Sequence, residues 1–264
     1  MLAQRVASAA VLAPLILLVV ALGMPWYAIV VAMASAIANW ELYLLFRRAG
    51  YLPLWPFGLA LSVAFVLDPY LAPGRIAPFA LALALTLSLG YLVVRQRLEG
   101  SLVAWALTWV PPLYAGFLIS FLVSLRLLPQ GDRWVYLALG VTWATDIAAY
   151  FAGRALGRRG FFVRISPRKT LEGALGGLAA GVLCGGGLAW LFGWDVPSFA
   201  AFGLLASVAA ELGDLAESLL KRQVRAKDAS PLIPGHGGVL DRMDSLLFVG
   251  VLTYCWALWM GGAS

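Results

Sequence analysis

LEGALGGLAAGVLCGGGLAWLFG, residues 171–193, runs for 23 positions with a single charged side chain, Glu172. A helix rises about 1.5 Å per residue, so 20 such residues reach about 30 Å, the thickness of a bilayer's hydrocarbon core. No soluble domain needs an element of this kind. Gly173, Gly177, Gly181 and Gly185 recur every fourth position and line one helix face. Such a face admits a neighbouring helix at close range, with a seam between two copies as the alternative use.

Eight further apolar runs resemble it: 6–22, 26–46, 54–71, 76–94, 108–128, 134–153, 198–220 and 245–262. Pro53 and Pro56 interrupt the start of the third of the nine, and Pro111-Pro112 predict a late start for the fifth. The whole chain is 62% hydrophobic and 12% charged, with mean hydropathy +0.88. Soluble domains carry roughly 25% charge. The expectation is an all-α, polytopic transmembrane helix bundle of about nine spans, multi-pass in the cell inner (cytoplasmic) membrane. One membrane-embedded domain covers 1–264, divided into an apolar N-terminal scaffold, 1–133, and a polar, chemically equipped C-terminal half, 134–264. The first run reads as a retained span, because others follow at once.

The charges supply a topology. With the N-terminus cytoplasmic, the inner segments hold Arg5, then Arg47 and Arg48, then Arg95 and Arg97. The next inner loop adds Arg154, Arg158, Arg159, Arg164, Arg168 and Lys169. The last adds Lys221, Arg222, Arg225, Lys227 and Arg242. Only Arg75, Arg126 and Arg133 fall outside, so sixteen of the nineteen cations lie on one side. This positive-inside bias places the C-terminus outside. The net charge of +6 is therefore read as topology and phosphate chemistry. No basic stripe with interleaved aromatics points to nucleic acid. Cys184 and Cys255 lie in apolar runs and propose neither a disulfide nor a metal cluster.

Acidic residues are uneven. Four precede Asp146, and nine lie from Asp146 to Asp244. In ELGDLAESLLKR, residues 211–222, offsets of three and four put Glu211, Asp214, Ser218 and Lys221 on nearly one helix face. Carboxylates at membrane depth serve a site or line a wet cavity. The structural alternative is an ion pair from Asp214 or Glu217 to Lys221. In PGHGGVLDRMDS, 234–245, the glycines, Gly237 and Gly238 among them, form a loop able to bring N–H groups to an anion. Asp241 and Asp244 follow, three apart, and suit Mg2+ with phosphate oxygens; helix N-terminal charges are the plainer reading. His236 either makes a loop hydrogen bond or touches a phosphate or base. In SPRKTLEG, 166–173, Ser166 begins a turn and Arg168 and Lys169 precede a helix, where they hold a polyphosphate or merely set topology. In DIAAYFAGR, 146–154, Asp146, Tyr150, Gly153 and Arg154 share a face; pairing of Asp146 with Arg154 is the alternative to a substrate role. Glu41 receives no role. No nucleophile elbow, Walker loop or zinc-protease motif occurs. What remains suits phosphoryl or nucleotidyl transfer, where positioning and charge neutralisation dominate.

SLLKRQVRAKDASPLIPGHGGVLDRMD, Ser218 to Asp244, resembles the signature of the phosphatidate cytidylyltransferase (CDP-diacylglycerol synthase) family, and SPRKTLEG and DIAAYFAGR resemble further family segments in order. The resemblance is specific over about 146–245. It implies that CTP and phosphatidate form CDP-diacylglycerol and pyrophosphate with Mg2+. It also implies a possible monovalent cation such as K+, and a homodimer. By motif position Asp214, Asp241 and Asp244 would hold the metal. Lys169, Arg168, Lys221, Arg222 and Arg242 would hold phosphates, with Ser166, His236, Gly237, Gly238, Asp146 and Tyr150 around the substrates. The competing readings are a sibling enzyme acting on another lipid phosphate, such as an archaeal ether lipid, and a cation transporter.

Overall fold

The structure is a computed structural model that describes residues 2–96, 99–232 and 237–261, with side chains from Ala10 onward. Among the described residues the chain forms nine α-helices and no strand. These are α1 (Leu2–Leu22), α2 (Trp26–Arg48), α3 (Trp55–Leu71), α4 (Ile76–Arg95) and α5 (Ser101–Leu127), followed by α6 (Gly131–Leu156), α7 (Leu171–Phe192), α8 (Val196–Gln223) and α9 (Leu240–Gly261). Seven are long and apolar enough to cross a membrane; the apolar part of α1, Ala10–Leu22, and α3 are shorter. The chain is an all-α polytopic membrane bundle. Helices are the expected answer, because backbone groups in lipid must bond within their own segment.

The expected late start of the fifth run is corrected. α5 begins at Ser101 and passes straight through Pro111-Pro112 by widening into a π-helical turn over Pro112–Phe117. Proline lacks an N–H and crowds the preceding turn; an i→i+5 turn absorbs both faults without ending the helix. α3 starts at Trp55, so Pro56 falls in its first turn, where no N–H is missed. α9 opens at Leu240 rather than 245, which brings Asp241 and Asp244 into its first two turns.

The chain divides into two compact units. One holds residues up to Leu127 with Gln223–Arg242; the other holds Leu128–Arg222 with the chain from Met243. In the first, α3 packs against α2, α4 and α5 around Leu61, Phe65, Ala84 and Trp109. A buried polar cluster ties its helices. Ser35 Oγ reaches the Ala115 carbonyl at 2.7 Å, and Asn39 Nδ2 donates to Ser62 Oγ at 2.7 Å. Asp68 accepts N–H groups of Gly74, Ile76 and Ala77 at 2.7–2.9 Å, satisfying the start of α4.

In the second unit α7 lies along α6 and α8. A Cβ on Gly173 would stand 2.8 Å from the Ala149 carbonyl oxygen, and one on Gly177 3.1 Å from that of Thr145. Cβ atoms on Gly181 and Gly185 would strike α8 at Ser207 and Phe199. All four glycines are buried. The stripe therefore packs helices of one chain together rather than forming a seam between copies. Thr145 and Ser207 bond hydroxyl to hydroxyl across α6 and α8 at 2.8 Å. Trp134, Trp194 and Phe199 stack where α8 begins, with centroids 4.5–5.5 Å apart.

Candidate active site

Gly213 is the residue that lets two carboxylates meet. A Cβ there would lie 2.5 Å from the Asp244 carbonyl oxygen and 3.0 Å from the Ser245 Cα, so α8 and α9 touch backbone to backbone. Asp214 follows on α8, and Asp244 faces it from α9. Glu217, one turn along α8, completes the group: ligand oxygens of Asp214, Glu217 and Asp244 all lie within 4.8 Å of one another. A hard divalent cation bonds oxygen at about 2.0–2.6 Å, so oxygens up to roughly 4–5 Å apart can share one ion. Three carboxylates are the donor set of Mg2+, Mn2+ or Ca2+. The residues present fit such an ion.

Two lysines balance this charge. Glu217 is fully buried and pairs with Lys221 one turn later, so the ion-pair alternative raised from the sequence is realised at Glu217. Lys169 Nζ lies 2.5 Å from Glu211 Oε2 and 2.9 Å from Asp214 Oδ2. Burial works against the Lys169 ammonium. The charges of Asp214 and Glu211, and the hydrogen bonds to both, outweigh it and hold the pKa above the ordinary lysine value. Lys169 is therefore a cation throughout the physiological range.

A small hairpin delivers Lys169. Phe161 N donates to the Lys169 carbonyl at 2.8 Å, Leu171 N to that of Arg159 at 2.9 Å, and Gly160 pairs with Thr170. Glu172 Oε2 accepts the N–H groups of Arg158 and Arg159, and Thr170 caps α7 by accepting from Gly173 N at 3.1 Å. Ser166 lies in the turn, its carbonyl accepting from Lys169 N. Arg168 is exposed beside it. Arg222 is exposed and bonds the Ile165 carbonyl at 3.2 Å, tying the end of α8 to this hairpin.

Asp146 lies near the group: its Oδ1 accepts from Ser245 Oγ at 3.4 Å. The suggested pairing of Asp146 with Arg154 gives way to another, since Arg154 donates to the Tyr150 hydroxyl at 3.1 Å. Tyr150 and Arg242 are exposed. His236, with Pro234 and Gly235, lies outside the described residues.

Of the carboxylates the resemblance implies for the metal, Asp214 and Asp244 come together with Glu217. Asp241 is engaged by the loop before α9: its Oδ2 accepts from Gly238 N at 2.7 Å and Ala229 N at 2.9 Å. Glu41, to which the sequence assigned nothing, is nearly inaccessible and does a parallel job. It accepts from Ser230 Oγ at 2.5 Å, Leu240 N at 2.8 Å and Val239 N at 3.1 Å. The two carboxylates explain the paired glycines. Cβ atoms on Gly237 and Gly238 would lie 2.6 Å from Asp241 Oδ2 and from the Glu41 oxygens, respectively.

A profile of the cytidylyltransferase family matches residues 3–259. Among curated proteins, the chain is similar to a phosphatidate cytidylyltransferase of Synechocystis sp., at 31% identity over 95% of this chain and 94% of that one. It is similar to one of Bacillus subtilis at 35%, over 78% and 76%. It is similar to one of Brucella suis at 49% over 149 residues, a stretch that spans about half of each chain, 53%.

Proposed function

This chain belongs to the cytidylyltransferase family, and we propose that it transfers the cytidylyl group of CTP to phosphatidate, releasing pyrophosphate and leaving CDP-diacylglycerol in the membrane. One observation carries the reading: the Asp214–Glu217–Asp244 carboxylates converge within 4.8 Å of one another, with Lys169 and Lys221 bonded to members of the same cluster. Relatives that share most of their length with this chain bear the name of that activity.

A phosphate oxygen of phosphatidate forms the new bond to the α-phosphorus of CTP, and the bond from that phosphorus to the bridging β-oxygen breaks. Pyrophosphate takes the electron pair. A phosphomonoester has a second pKa near 6, so the nucleophile is mostly dianionic at pH 7 and no base must take a proton. The obstacle is repulsion between two anions, so catalysis is largely charge neutralisation and alignment. Mg2+ held by Asp214, Glu217 and Asp244 would supply a Lewis acid, with K+ as a possible companion. Lys169 carries a fixed positive charge on a short hairpin, within reach of the same carboxylates, and is assigned to a substrate phosphate. Arg168 and Arg222 flank it and extend the cationic surface for the polyphosphate. The acyl chains stay in the bilayer. The site belongs to the cytoplasmic side of the inner membrane, where CTP is made, and the working form is a homodimer.

Purified protein is given CTP labelled at the α-phosphate, or each other nucleoside triphosphate, with phosphatidate or other lipid phosphates. Label entering lipid from CTP and phosphatidate, with one pyrophosphate per turnover, is the expected result. Preference for a different lipid phosphate would reassign the acceptor, and absence of transfer from every pair would remove the reading.

A further inference from the structure

Glu41 comes from α2, about 200 positions before the residues it touches, and it is only 2% exposed. A carboxylate buried this deeply needs compensation. It finds none from a Lys or Arg among its described partners. It finds the N–H groups of Val239 and Leu240, which belong to the cap and first residue of α9, and the Ser230 hydroxyl. The first four N–H groups of a helix have no intrahelical acceptor, and the helix dipole favours an anion there. Glu41 is thus a helix cap supplied by a distant element. Its bonds also join Ser230 to residues 239–240, while Asp241 joins Ala229 to Gly238. Both ends of the loop are fastened by a pair of carboxylates.

On the reading that the acids of α8 and α9 hold a divalent cation, we infer that Glu41 is a positioning residue for that site. It fixes where α9 starts and how its first turn is rotated. Asp241 lies in that turn, and Asp244 follows one turn later on the same helix. A helix transmits such rotation directly, since residues three apart are fixed on its surface to within a few ångströms. Glu41→Gln conserves size but replaces one acceptor oxygen with an NH2 group. The second pair of lone pairs is lost, and a donor would face the Leu240 or Val239 N–H.

The test is Mn2+ binding to the full-length protein in nanodiscs, without nucleotide or lipid, read by the electron paramagnetic resonance of free Mn2+ and set beside steady-state kinetics. Residues that orient metal ligands typically cost about 10- to 100-fold in affinity or activity when changed. Glu41→Gln is expected to weaken Mn2+ binding by about that factor and to lower kcat, with KM for phosphatidate unchanged. Ser230→Ala, which removes one of three partners and leaves the backbone bonds, is expected to shift binding the same way by less. A role confined to fold stability would lower the yield of folded protein and leave the Mn2+ midpoint and per-molecule kcat at wild-type values. That result in Glu41→Gln overturns the inference; if that variant does not fold, the same result in Ser230→Ala overturns it. Asp244→Asn separates the two levels. Weakened Mn2+ binding in Asp244→Asn beside normal binding in Glu41→Gln refutes the positioning role alone. Unchanged binding in Asp244→Asn refutes the metal reading and the inference with it.

Discussion

Lys169 carries the sharpest residue-scale consequence. It neutralises Glu211 and Asp214, so removing its charge should not weaken a divalent cation at Asp214. If it also holds a substrate phosphate, Lys169→Gln should lower turnover by about 10²–10³, the usual cost of one lost stabilising group. Lys169→Arg should not restore it, because a planar guanidinium does not reproduce a compact ammonium. Kinetics with CTP and phosphatidate varied separately, beside Mn2+ titration, would check both points; unchanged constants would leave Lys169 a topological role. Glu217 and Lys221 make a second case. Lys221→Met strands a fully buried carboxylate and is expected to cost about 3–5 kcal/mol, whereas Lys221→Met with Glu217→Leu should recover most of that loss without restoring activity. Thermal unfolding in detergent reads the difference. Spacing singled out Asp214 with Glu211, and Asp244 with Asp241, because helix periodicity puts each pair on one face. Glu41 was not legible, since a lone acid in an apolar run reads the same whether it snorkels, pairs or caps. Glu217 was legible only as one of two candidate partners for Lys221, and which acid won depends on packing that a helical wheel does not contain.

At the scale of elements, the close approaches make the helix packing testable. Gly185→Ala on α7 would drive a methyl group into the Phe199 carbonyl, while Gly187 on the same helix has open space around it. Gly185→Ala should therefore destabilise the protein by about 1–3 kcal/mol, the usual range for overpacking. Gly187→Ala should be neutral or slightly stabilising. Equal melting temperatures for the two would argue against the α7–α8 packing. The glycine interval was readable as a close-packing face, because a four-residue repeat has that geometry wherever the helix is placed. The course of α5 was not: Pro111-Pro112 normally ends a helix, and whether a π-turn rescues it depends on what receives the displaced carbonyls. Here the Thr108 carbonyl, for which Pro112 has no N–H, accepts from the Tyr43 hydroxyl at 2.6 Å. The start of α9 was legible only as the alternative reading of Asp241 and Asp244 as helix N-terminal charges; the cap that Glu41 supplies to Val239 and Leu240 comes from another helix and left no local signal.

At the scale of the molecule, charge and length together motivate the proposed arrangement in the membrane. α2, α4, α6 and α8 all end in arginine or lysine: Arg47 and Arg48, Arg95, Arg154, and Lys221 with Arg222. Among the odd helices only α5 also ends in a cation, Arg126; this bias is what a chain with a cytoplasmic N-terminus and inner loops after every even helix would show. A single cysteine at exposed Asp228, in a background without Cys184 and Cys255, should react with a membrane-impermeant reagent only from the cytoplasmic side; reaction from outside in intact cells would reverse the topology. The all-helical class was legible because lipid leaves a chain this apolar few alternatives. The apposition of α8 and α9 at Gly213, which brings Asp214 and Asp244 together, had no signature beyond a glycine beside an acid. The proposed cytidylyl transfer rests on these carboxylates working as a metal site. The measurement is CDP-diacylglycerol formed from CTP and phosphatidate by the purified protein, with and without Mg2+, beside Asp214→Asn and Asp244→Asn folded to the same extent. Product is expected only with the divalent cation, with a loss of about 10²–10³ in each variant. Metal-independent product, or wild-type rates in both variants at limiting Mg2+, would contradict it.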